Sequence, residues 1–236
     1  MLASSQTTAS LNSIGIHNNT YMDIEFEKRN FILKIAADNA IAAALQRNKT
    51  YNSASDDSTS FKCAFTEQLF GQTERYAASV QDDEHCSVIT QIANDLSSEF
   101  RTILIDGQLR IGTVQKALNL YLKTLWCMDP GRAAPPHCPI DRRVLEEAGI
   151  HENWTQLKLM STYCEWIEKL RICALRSEFD SLAEWELCFW PRARLERFTW
   201  QEGDIELVSN EEMERSIKQA EANLQSTAEA KLDPYG

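Results

Sequence analysis

The sequence predicts an all-α protein, a two-lobed helical bundle with an acidic C-terminal helix. Three observations carry this. Apolar residues recur at helical spacing in segment after segment. No stretch reads convincingly as a strand, and there is no internal repeat. Hydrophobic residues are 43% of the 236, with six tryptophans, which is enough for one sizeable core or two small lobes sharing it.

Residues 1–20 are rich in Ser, Thr and Asn and read as a disordered tail. From Ile24 to Gln46 the residues Ile24, Phe31, Ile35, Ala42 and Leu45 recur at helical spacing in an alanine-rich stretch, which predicts a long helix. "NKTYNSASDDSTS" is a loop. Residues 61–80 give one or two short helices. His85 to Leu104 is a helix with Val88, Ile92, Leu96 and Phe100 in a stripe.

The turn "DGQLRIGT" leads into a helix from Thr113 to Trp126, whose core face is Val114, Leu118, Leu122 and Leu125. A short helix from Arg142 to Ala148 stops at Gly149, a C-cap glycine. Residues 154–176 form a helix with Leu157, Met160, Cys164, Ile167 and Ile172 inward, and residues 180–189 form another, ended by Pro191. "QEGDIELVSN" is a strand or a loop, and 209–231 an exposed acidic helix. The chain therefore divides into a tail (1–20), a helical domain (21–200) and an acidic extension (201–236).

No apolar run is long enough to span a bilayer, and the N-terminus lacks the basic start and apolar stretch of a secretory signal. Seven cysteines without a C-x-x-C pair read as reduced thiols in a cytoplasmic protein, with no metal site and no cofactor. The net charge of −11 is unevenly spread: residues 1–100 carry −6, residues 101–200 carry +1, and residues 201–236 carry −6. Six Lys or Arg lie between Arg110 and Arg143, so the middle of the chain permits phosphate contact although the whole is acidic.

The chemistry concentrates there. Lys116, Asn119 and Lys123 share a helix face at i, i+3, i+7, and the two lysines are roughly 10.5 Å apart along the axis, too far for one job. Lys116 is expected in the first helical turn. Positive potential there disfavours a second positive charge and favours an amine that is neutral part of the time, hence a nucleophile able to form a Schiff base at a sugar carbon. Asp141 follows "PPHCPI" and opens a helix, so it reads as an N-cap held still and ionised. That suits a carboxylate stabilising an oxocarbenium ion, and it equally suits a purely structural cap. His137 is a candidate acid/base or phosphate-contacting group.

"RIGTVQKALNLYLK" followed by "CPIDRRV" resembles the helix–hairpin–helix DNA glycosylase superfamily, most closely its archaeal 8-oxoguanine branch, over roughly 35 residues. The resemblance implies a bundle around a hairpin-like element, with Lys116 attacking the sugar C1′ and Asp141 assisting. It implies double-stranded DNA containing a modified base as partner and no membrane. On it, Arg110, Gly112, Thr113, Gln115, Arg132 and Arg142 are candidate DNA contacts. Asn119, Lys123, His137 and Trp185 are candidates for the pocket of a flipped base, and a monomer is expected. Oxidised guanine is the implied substrate. A bulky phage base, such as glucosylated hydroxymethylcytosine, is a second possibility that would make the protein an anti-phage defence enzyme. The alternative class is a non-catalytic helical module that binds a protein partner or regulates DNA.

Overall fold

The computed structural model describes residues 23–46, 48–52 and 57–195, and the protein is all-helical over them. The expected tail, the strand-or-loop at 201–210 and the acidic helix lie outside the described residues. The helices are α1 (Ile24–Leu45), α2 (Asp57–Phe70), α3 (Asp82–Glu99), α4 (Ile111–Met128), α5 (Arg142–Glu147), α6 (Met160–Arg176) and α7 (Leu182–Leu195). Single 3-10 turns lie at Arg75–Ala77, Ile105–Gly107 and Trp154–Gln156. One isolated antiparallel bridge, Tyr51 to Leu104, ties the α1–α2 connection to the segment after α3. The chain divides after Glu186; of the second unit, Leu187–Gly236, only the end of α7 is described.

α4 is the central element. Twelve of its 18 residues are buried, so it is enclosed on nearly every face, and α1, α3 and α6 pack against it. Its stripe of Val114, Leu118, Leu122 and Leu125 is in the core as expected. α3 buries Val88, Ile92 and Leu96 and places Asp82, Asp83 and Glu84 in its first turn, where carboxylates suit the helix dipole.

α1 is the long helix expected, and it buries its alanines instead of its larger apolar residues. Its buried residues are Ala36, Ala37, Ala40, Ile41 and Ala44, while Ile24, Phe31 and Ile35 face solvent at 55%, 66% and 43% exposure. Alanines let the backbones of α1 and α4 approach closely, and close approach outweighs burial of the larger side chains. The expected 154–176 helix is also broken. A 3-10 turn precedes extended backbone at Leu157 and Leu159, and α6 buries Tyr163, Trp166, Ile167, Leu170 and Ala174 while Ile172 is exposed. α7 runs through Pro191 to Leu195 instead of stopping before it.

The break at 157 has a cause. The Gly112 N–H donates to Leu157 O at 3.0 Å, and a Cβ on Gly112 would lie 1.9 Å from Trp154 O. The 154–157 segment thus lies directly on the start of α4, which only glycine permits.

Candidate functional site

The polar face of α4 holds the loop 137–141 by its backbone. Gln115 Nε2 donates to Ile140 O at 2.9 Å, and Ile140 N donates to Gln115 Oε1 at 3.1 Å. Asn119 Nδ2 donates to Cys138 O at 3.0 Å. Lys116 Nζ donates to Pro139 O at 3.4 Å. Buried backbone groups need partners, and a proline-rich loop cannot find them in a regular ladder, so α4 side chains supply them.

This clasp sets Asp141 at the start of α5. Its Oδ1 accepts from Arg143 N (3.0 Å) and Val144 N (3.3 Å), which makes it the N-cap expected from the sequence. Its Oδ2 accepts from Lys116 Nζ at 3.0 Å. Burial alone would raise the carboxyl, but the Lys116 ammonium and the two α5 amides outweigh it and hold Asp141 below the ordinary aspartate value. The Lys116 side chain is 10% exposed and that of Asp141 25%, so the pair sits at the edge of solvent.

Two expectations about the lysines change. α4 begins at Ile111, which puts Lys116 in the second turn, where its amine meets a carboxylate instead of bare helix-end amides. Lys123 forms an ion pair with Glu186 of α7, whose side chain is only 2% exposed. Burial raises the Glu186 carboxyl; Lys123 opposes this, and the charges of Lys116 and Asp141 also reach it. α4 therefore carries two lysines, each paired with a carboxylate from another part of the chain. Glu186 escaped the sequence reading. The available signal was a carboxylate inside the apolar run "SLAEWELCFW", opposite a lysine-bearing helix face that needed a counter-charge.

Asn119 and His137, read as pocket residues, are 0% and 1% exposed. Asn119 Nδ2 also donates to the Tyr163 hydroxyl (3.1 Å), leaving that hydroxyl to donate to His137 Nδ1 (2.9 Å). His137 Nε2 faces Asp82 Oδ1 at 3.5 Å. His85 packs edge-on against His137 with ring centroids 4.6 Å apart, and its Nδ1 meets the Tyr76 hydroxyl at 2.7 Å. Trp185 is in the core at 4% exposure.

Of the six candidate DNA contacts, Arg142 presents its side chain to solvent, 81% exposed and paired with Glu146. Gly112, Thr113 and Gln115 are buried, and Thr113 Oγ1 accepts from Asn48 Nδ2 at 2.6 Å. Arg110 bonds Asn48 Oδ1 and Thr155 O, and Arg132 bonds Thr73 O, with their side chains 12% and 11% exposed. The start of α4 thus spends its polar groups on protein partners, because the 154–157 segment covers it.

An open groove of about 640 Å³ lies between α1 and α2, lined by Asp38, Ile41, Leu45, Tyr51, Lys62 and Thr66 among others, and by none of the residues above. No group of side chains suited to a metal occurs among the described residues, and no helix there is long and apolar enough to cross a membrane. No protein-family profile, curated protein or solved structure matches the chain.

Proposed function

We propose that the protein is a DNA glycosylase that flips a modified base out of duplex DNA and breaks its N-glycosidic bond. The observation that carries this reading is the 3.0 Å approach of Lys116 Nζ to Asp141 Oδ2 at the edge of solvent, with the second carboxylate oxygen fixed by α5. In the reaction, the ionised Asp141 stabilises positive charge developing at C1′ as the base departs with the bonding electrons. Lys116 Nζ passes a proton to the departing base anion and, now neutral, attacks C1′ to form the sugar–amine bond. Opening of the sugar to an imine then permits strand cleavage by β-elimination, whereas attack by water leaves a simple abasic site. Arg142, exposed and next to Asp141 in the chain, is the cation offered to a phosphate. Oxidised guanine and a hypermodified phage cytosine are the substrates to compare, the second pointing to anti-phage defence.

One observation favours a non-catalytic helical binding module: the internal pairing of Arg110 and Arg132, which withdraws two cations from a DNA surface. Incubation of the protein with unmodified, 8-oxoguanine-containing and modified-cytosine DNA separates the two. Abasic sites made by the wild type and lost in both Lys116→Gln and Asp141→Asn support the glycosylase. Their absence on every DNA, from folded protein, supports the binding module.

A further inference from the structure

We propose that Cys86 and Cys164 are a redox modification site, a dithiol that a hydroperoxide converts into a reversible disulfide linking α3 to α6. The inference is independent of the glycosylase reading.

The two sulfurs are 3.9 Å apart although 78 residues separate them in sequence. A disulfide needs about 2.05 Å, so about 2 Å of approach closes the bond. The neighbourhood keeps the sulfurs facing. Arg171 Nη2 of α6 donates to Asp82 Oδ2 of α3 at 2.6 Å, one turn before Cys86. The pairs Asp82–Arg171 and Cys86–Cys164 run in opposite chain directions, so α3 and α6 are antiparallel there and pinned beside the thiols. His85 and Tyr163, each one residue from a cysteine, are both packed on His137.

The two thiols differ in a way that assigns their roles. Cys164 is exposed and meets the oxidant, whereas Cys86 is half-buried. Burial, reinforced by the Cys164 sulfur, pushes the Cys86 thiol up to about 12, so it stays protonated and unreactive toward solvent. The Cys164 thiolate attacks a peroxide oxygen, the O–O bond breaks, and a sulfenic acid forms as water leaves. Cys86 sulfur then attacks Cys164 sulfur; hydroxide departs, taking the Cys86 proton as a second water. Two thiols and one hydrogen peroxide give one disulfide and two waters. The bond ties together the helices that seat His137, and through it the loop carrying Asp141.

The test treats the intact folded chain with hydrogen peroxide, blocks remaining thiols, and maps peptides without reduction. The expected result is a linked Cys86–Cys164 peptide lighter by two hydrogens, lost on adding dithiothreitol, and a higher Tm for the oxidised protein. In Cys86→Ser, shown folded by circular dichroism, Cys164 should instead be trapped by dimedone as the sulfenic acid. The proposal is overturned if both cysteines stay reduced at a dose that oxidises exposed Cys63 and Cys127. Pairing of Cys164 with a different cysteine, or only between chains, overturns it as well.

Discussion

The side-chain amide of Gln115 bonds both the N–H and the C=O of Ile140, at 3.1 and 2.9 Å, with Gln115 fully buried. Asp141 is the next residue, so one amide on α4 sets where the carboxylate stands. Replacing Gln115 by Leu strands two buried backbone groups, each costing about 1–3 kcal/mol when unsatisfied, and the loss should total about 2–6 kcal/mol in urea unfolding. The same variant should lose order at 137–141, read as faster amide exchange there than in α3.

Two glycines separate two kinds of backbone constraint. Gly112→Ala drives a Cβ to 1.9 Å from the Trp154 carbonyl oxygen, with backbone on both sides and little to yield. It should cost about 3 kcal/mol, at the upper end for overpacking. Gly149 has φ +66° and nothing within 4 Å of an added Cβ. Gly149→Ala should therefore cost only the left-handed conformation, about 1–2 kcal/mol. Paired denaturant midpoints test the order; equal losses would refute the close approach at Gly112.

Much of this architecture is legible in the chain because two signals are local. The α4 stripe follows from periodicity, and Asp141 is readable as a cap because it directly precedes a helix. The buried amides Gln115 and Asn119 are not readable: a polar residue on a core helix face looks solvated until the loop it serves is in place. Glu186 hides for the same reason, since its counter-charge Lys123 is 63 residues away. α1 misleads because hydrophobicity ranks Phe31 above Ala40, whereas packing against α4 ranks smallness first.

That inversion can be measured. Ala40 is fully buried, so Ala40→Leu forces extra volume between α1 and its neighbours and should destabilise by about 1–3 kcal/mol. Phe31 is 66% exposed, so Phe31→Ser should change stability by no more than about 0.5 kcal/mol. A large loss for Phe31→Ser would contradict the exposed position of that ring.

The paired histidines make stability fall on mild acidification. Burial, reinforced by His137, pushes His85 down to about 3 from an ordinary 6.5. Burial likewise lowers His137, against the opposing influence of Asp82. Both are neutral in the fold, and the unfolded chain takes up their protons first. Their contribution is complete above the unfolded value and drains as pH drops below 6.5, for His85 as far as about 3. Asp141, held low, loses its contribution only below the ordinary carboxylate value of 3.8. Glu186, raised above 4.5, has the opposite sign and regains stability on acidification. Urea midpoints from about pH 7 to about pH 4.5 should therefore fall. The fall should be shallower in His85→Gln, which keeps a partner for Tyr76 and does not titrate. Equal slopes would remove His85 from the account.

Asp141 does two jobs that substitution can divide. Serine caps a helix nearly as well as aspartate but carries no charge, so Asp141→Ser should keep α5 and cost about 1 kcal/mol or less as a cap. Asp141→Ala loses both functions and should cost about 1 kcal/mol more than Asp141→Ser in urea unfolding. On the glycosylase reading, abasic-site formation should fall about 10²–10³-fold in Asp141→Ser, because the carboxylate that meets positive charge at C1′ is gone. If Asp141→Ser retains full base release while Asp141→Ala unfolds, the carboxylate is only a cap, and its ion pair with Lys116 belongs to the clasp on the 137–141 loop.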